Sequence, residues 1–263
     1  MAYETLEILR EGPVATIWMN RPALHNAFNE CLIAELTAAC TALDADPGVR
    51  VVVLAGRGRS FSAGADLAWM QRAGAASLDE NLADARKLAT LLRTLAQMRQ
   101  PTIARVHGAA LGGGMGLAAA CDICVAGEGA VFATSEVKFG IIPAAISPYV
   151  LRAIGPRQAQ RYFLSAERIL AARAVELGLA HECVPGEMLD ARLGEIIQAL
   201  LQGGPLAQQA AKQLIAAVAH RPVDEALVED TARRIATLRA TPEAREGLAA
   251  FLDKRPAAWV AGA

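Results

Sequence analysis

Positive charge is not in surplus in this chain. Its 263 residues carry 26 lysines and arginines against 27 aspartates and glutamates, with no Lys/Arg-rich block. That balance excludes the electrostatic footprint of a nucleic-acid binder or of a protein drawn to anionic membranes. No apolar run approaches the roughly 20 residues of a membrane span. The opening "MAYETLEILREG" has no basic segment followed by an apolar core, so no signal peptide is expected. Five cysteines make an odd count in a chain large enough to fold without staples. The expected compartment is therefore a reducing one, the cytoplasm. Cys121 and Cys124 form a C-x-x-C inside the apolar run "LAAACDICVAG", without a second pair or a nearby histidine, and read as small core residues rather than metal ligands. No metal site is expected.

Aromatic residues are scarce at 5%, yet hydrophobic residues reach 54%, enough to fill a sizeable core. "PVATIWMN" (13–20) alternates as a strand does, and a helical stripe follows with Leu32, Ile33, Leu36, Cys40 and Leu43 on one face. "VRVVVLAG" is a continuous apolar strand of the kind covered on both faces. A periodic helix from about Leu78 to Met98 leads to Pro101 and the strand "PTIARVHG". This alternation predicts an α/β architecture of β-β-α or β-α units. After Pro185 nearly everything reads as helix, which divides the chain into a core at 1–195 and a helical covering or assembly region at 196–263.

Three familiar glycine motifs are missing from "HGAALGGGMGLAAACD" (107–122). Counted from Gly112, the last glycine of G-x-G-x-x-G falls on Leu117; no G-K-[ST] follows; and the turn has no serine or cysteine for a nucleophile elbow. Two readings remain. Glycine lets a helix pack tightly on a strand, or bare helix-terminal N–H groups are left for a substrate oxygen. A second loop, "SFSAGADL", also follows an apolar strand and leads to a helix, with Asp66 near its start. If Ala65 and Gly113 each offer an N–H to one carbonyl oxygen, the pair makes a two-donor oxyanion hole.

With both loops in view, the chain resembles the crotonase (enoyl-CoA hydratase/isomerase) superfamily. "NRPALHNAF", "FSAGADL", "HGAALGGGMGLAAACD", "SEVKFGIIP", "AARAVELGLAHECVP" and "REGLAAFLDKR" occur in the family's order over nearly the whole chain. The resemblance implies a crotonase-like β-β-α spiral core with a helical C-terminal trimerisation region. It also implies a homotrimer or dimer of trimers, and an acyl-CoA thioester substrate, with CoA part of the substrate and no separate cofactor. Ala65 and Gly113 would hold the thioester oxygen while an enolate forms. Ala63, Asp66, Leu67 and Ala68 match the segment lining CoA, and Phe251 and Lys254 match C-terminal positions that reach CoA, sometimes in a neighbouring subunit. "FLDKR" equally suits a solvated helix end.

Hydratases of this family usually carry two glutamates, and the resemblance places the second at Glu136. A plainer alternative is an exposed Glu136–Lys138 pair on one strand face. The flanking "AVFAT" and "FGIIP" favour an apolar pocket, where desolvation raises a carboxyl pKa and suits it to moving protons. The first glutamate's position is Gly116, so the two-carboxylate scheme cannot apply unchanged. Where many members read G-[GA]-G-G-T-Q-R, this chain has "AAISPYVLR", in which Ser147 and Tyr149 bind a polar acyl group or simply cap and pack a helix. Hydration with one carboxylate, double-bond isomerisation, and a non-catalytic acyl-CoA-binding role all stay open. "SEVKFGIIPAAISPYVLRAIG" is most similar to bacterial hydratases of the methylglutaconyl-CoA type. His25 reads as an exposed loop histidine, His107 as a satisfied core histidine, and Arg57 and Arg59 as solvated arginines that can also meet CoA phosphates.

Overall fold

The computed structural model describes residues 3–261. A six-stranded sheet takes the order β1-β2-β3-β4-β6-β9 from Leu6–Glu11, Val14–Met19, Val51–Gly56, Thr102–Val106, Ile123–Gly127 and Glu182–Val184. Only the β1–β2 pair is antiparallel; the rest run parallel. A smaller sheet orders β5 (Ala109–Leu111), β7 (Val131–Ala133) and β8 (Ile169–Leu170). Strand β1 adds to the elements that periodicity predicts.

β3 explains why its sequence is apolar without alternation. Val52 and Leu54 face the main core, which is filled by α1 (Glu30–Ala45), α3 (Leu78–Ala96), α4 (Gly113–Ala120), α5 (Ser147–Ser165) and α6 (Ala171–Leu177). Val51 and Val53 face the other way, joining Ile103 and Val125 under Leu189, Leu193 and Leu201 of α7 (Leu189–Leu201). A strand buried on both faces has no polar side to show. Local signals set the helix starts: Asn29 accepts from Leu32 N–H to cap α1, and Ser77 with Glu80 forms a capping box on α3.

The division expected at 195/196 falls inside α7, which packs on the sheet along its whole length. The next break is at Gln202–Gly204, before α8 (Pro205–Val218), α9 (Glu225–Arg239), α10 (Pro242–Leu252) and α11 (Ala258–Ala261). Lys212 ties α8 back to the core, with Nζ 2.6 Å from the Asp122 carboxylate. Among the described residues, no helix is long and apolar enough to cross a membrane.

Candidate active site

After β3 the chain returns through Ser62 toward β5. Ser62 N–H donates to Ala109 O and its carbonyl accepts from Leu111 N–H, both at 2.9 Å. Phe28 repeats the pattern two residues on: its N–H donates to Gly64 O (2.7 Å) and its carbonyl accepts from Asp66 N–H (2.9 Å). Phe28 therefore spends both backbone groups on the neighbours of Ala65. In such a parallel bridge the intervening residue points its own N–H away from the partner strand. Ala65 N–H has no hydrogen-bond partner among the described residues.

The second loop is the glycine turn. Gly112, at φ +48°, donates to Ala133 O (2.8 Å) and accepts from Gly116 N–H (3.0 Å), which starts α4. The first helical N–H, that of Gly113, has no partner among the described residues, as the opening turn of a helix requires. A methyl group on Gly113 would stand 2.8 Å from Cδ2 of Phe28, too close to be accepted. Close packing and a bare amide, the two explanations of the glycines, thus both apply. The loops meet as well: a methyl on Gly64 (φ +92°) would lie 3.0 Å from Leu111 O.

Glu136 stands over this junction. A methyl on Gly112 would lie 3.1 Å from its Oε1 and 3.9 Å from Cα of Gly64. Its Oε2 is buried and has no hydrogen-bond partner among the described residues. Residues Glu136–Phe139 form a 3-10 turn, not the strand that the Glu136–Lys138 alternative needs. No ion pair joins those two side chains among the described residues, and Lys138 is exposed. Desolvation pushes the Glu136 carboxyl above its ordinary value, only partly offset by its own backbone N–H.

This shift has a consequence for stability. Between the ordinary glutamate value and the raised one, the folded chain holds more protons than the unfolded chain, so stability falls as pH rises through that window. Above it the full cost of burying the anion is present. We expect Glu136→Gln to raise the melting temperature near neutral pH, with the gain vanishing below the ordinary glutamate value. Calorimetry of both proteins across pH checks this.

Gly116 is where the family's other glutamate would be, and the structure gives a physical reason for glycine. A methyl there would overlap Cγ2 of Ile146 and stand 2.8 Å from its Cβ. Ile146, buried at the start of α5, takes the space. Gly112 and Gly116 are one turn apart, so Glu136 and Ile146 cover adjacent parts of α4.

Asp66 caps α2 (Leu67–Ala75). Its Oδ1 accepts from Ala68 N–H (2.9 Å) and Trp69 N–H (3.4 Å), while Oδ2 pairs with Arg21 at 3.0 Å. Leu67 and Ala68 lie exposed beside it; Ala63 N–H donates to His25 O (2.9 Å). Phe251 is exposed near the end of α10, and Lys254 follows it without an ion-pair partner among the described residues. His107 is partly exposed rather than core, with Nε2 2.9 Å from Gly58 O. Arg57 is engaged rather than free, paired with Glu7 at 2.7 Å and stacked over Trp18. Ser147 Oγ donates to Ala144 O (2.8 Å) and Tyr149 packs against the main core. Sequence reasoning missed Arg21, Asn26 and Ile146. Asn26, fully buried, accepts from Arg21 N–H through Oδ1 (2.9 Å) and donates to Arg57 O and Ser60 O.

A family model described as enoyl-CoA hydratase/isomerase matches residues 10–262. The chain belongs to that family. As an enzyme of this family, it is 35% identical over 262 residues to the crotonyl-CoA hydratase of Syntrophomonas wolfei, covering 99% of each. It is 35% identical over 252 residues to the 2,3-dehydroadipyl-CoA hydratase of Escherichia coli, covering 95% of this chain and 96% of that one. An enoyl-CoA hydratase structure from Shewanella pealeana superposes with a TM-score of 0.95 at 40% identity, covering 97% and 96% of the two chains. The α/β core with its C-terminal helices is therefore the crotonase fold.

Proposed function

We propose that this enzyme is a lyase that adds water to a 2-enoyl-CoA thioester, with Glu136 as its only proton-carrying side chain. The observation carrying this reading is the buried Oε2 of Glu136, unpartnered among the described residues, on a carboxylate that reaches the junction of the two loops bearing the unpaired Ala65 and Gly113 amides. An orphaned polar atom in a folded interior calls for an explanation, and a substrate or water that completes it is one. In the scheme, Glu136 takes a proton from water as the water oxygen bonds to C3. The C2=C3 electrons move toward the thioester, and the two N–H groups hold the resulting enolate oxygen. Glu136 then returns its proton to C2, so one water is added across one face. Each such donor is typically worth about 3 kcal/mol in the transition state.

The apolar contact between Gly116 and Ile146 favours a second reading. With one carboxylate, the same groups can move a proton between C2 and C4 and shift the double bond. Incubation with a 2-enoyl-CoA panel in heavy water separates the two. We expect a mass gain matching added solvent; label exchange with double-bond migration and no added oxygen would identify an isomerase instead.

The finer assignments belong to the same reading. The acyl group in this reading is of the methylglutaconyl-CoA type, supported by the resemblance of the segment around Glu136 to hydratases associated with leucine and acyclic terpene breakdown. Ala63, Leu67 and Ala68 line CoA through backbone and apolar surface, Asp66 acts mainly by holding its loop, and Phe251 and Lys254 approach CoA from the C-terminal region. The exposed apolar residues Ile215, Val228, Leu248 and Phe251 support assembly into a trimer or dimer of trimers. The proposed compartment is the cytoplasm.

A further inference from the structure

Ala65 sits on a loop with little to hold it. Its pairing with Phe28 is an isolated two-bond bridge, and the helix that follows, α2, has no fully buried residue. An amide that must keep its direction as charge builds on a substrate needs more than that. Arg21 supplies it. One guanidinium nitrogen donates to the carbonyl of Ala27, the residue before Phe28, and the other lies 3.0 Å from Oδ2 of Asp66, the residue after Ala65. The same side chain thus spans both strands of the bridge. Its backbone N–H is fixed in turn by buried Asn26. The Arg21 and Asp66 side chains are only 15% and 14% exposed, so solvent and salt screen this pair less than a surface one. Burial alone would push the Asp66 carboxyl up, but Arg21 and the Trp69 and Ala68 amides outweigh it and hold it below its ordinary value.

We propose that Arg21 is a positioning residue for the oxyanion hole, bolting Asp66 to Ala27 so that the Ala65 N–H between them stays aimed at the thioester oxygen. The inference rests on the reading of Ala65 and Gly113 as that hole. In this role Arg21 acts through Ala27 and Asp66 rather than on the substrate. The planar two-nitrogen fork is what the job requires, since two acceptors on separate strands must be held at once. A lysine at this position can satisfy one of them.

The test combines kinetics with a spectroscopic readout. Arg21→Met is expected to lower kcat by about 10- to 100-fold with KM little changed, because misaligning a catalytic donor costs transition-state rather than ground-state binding. Arg21→Lys should fall between Arg21→Met and the parent, and Asp66→Asn, which keeps an acceptor for the helix cap, should lose part of kcat from the other side of the contact. In the slow Glu136→Gln background, the bound carbonyl of a 1-13C-labelled 2-enoyl-CoA should shift to lower frequency when Arg21 is present and shift less when it is methionine. An equal shift with and without Arg21, measured on variants of native circular dichroism, overturns the proposal. No shift even in the Arg21-containing parent removes the hole itself, and the role of Arg21 with it.

Discussion

Replacing Glu136 with glutamine is expected to cut turnover by about 100-fold or more while leaving acyl-CoA affinity nearly intact. The side chain is almost isosteric, so the space beside Gly112 stays filled and the two loops keep their contact. What disappears is the capacity to accept a proton and give it back. In a site with two carboxylates, one can partly cover for the other, but here the second position is glycine and its space is hydrocarbon. The loss should therefore appear in kcat, with the dissociation constant for a non-reacting acyl-CoA unchanged. Steady-state kinetics alongside titration with a saturated acyl-CoA separates these quantities. Turnover equal to the parent's would remove Glu136 as the proton carrier and leave a protein that binds thioesters without needing it.

The parts of this site differ in how far the chain announces them. The glycine turn was legible because glycines clustered between apolar runs are costly, and the structure supplies both reasons for the cost at Gly113: the Phe28 ring against it and an unpaired N–H. Glu136 was legible as a lone acid among apolar neighbours, but its local shape was not. Alternation suggested a strand, whereas Gly140 at φ +73° lets the chain close a 3-10 turn that points the carboxyl inward. Arg21 and Asn26 could not be found from periodicity, since their partners lie 45 and 34 residues away and only the folded chain brings them together. Ile146 was the least visible. An isoleucine at a helix start is ordinary, and its meaning comes from Gly116, thirty positions earlier. The boundary drawn at 195/196 follows composition, which turns helical before packing on the sheet ends, whereas α7 joins the core by contact.

Introducing a glutamate at Gly116 is expected to destabilise the enzyme by about 3–5 kcal/mol and to abolish activity rather than improve it. Even a single methyl at that position overlaps Cγ2 of Ile146, so α4 and α5 must part to admit it. A carboxylate adds the cost of leaving an unpaired charge among hydrocarbon. For Gly116→Ala, overpacking of about 1–3 kcal/mol is offset by up to about 1 kcal/mol of helix propensity, so a small net loss is expected. Ile146→Ala alone should cost about 2–5 kcal/mol through the cavity it leaves. Combined, the two alanine changes should cost less than their sum, because the new methyl moves into the space the isoleucine vacates. A double-mutant cycle by chemical denaturation measures this coupling, and zero coupling would mean the side chains do not compete for the same volume. The same reasoning fixes the order of activities. Gly116→Glu with Ile146→Ala is the variant in which a second carboxylate has room to stand, so its hydration rate should exceed that of Gly116→Glu alone.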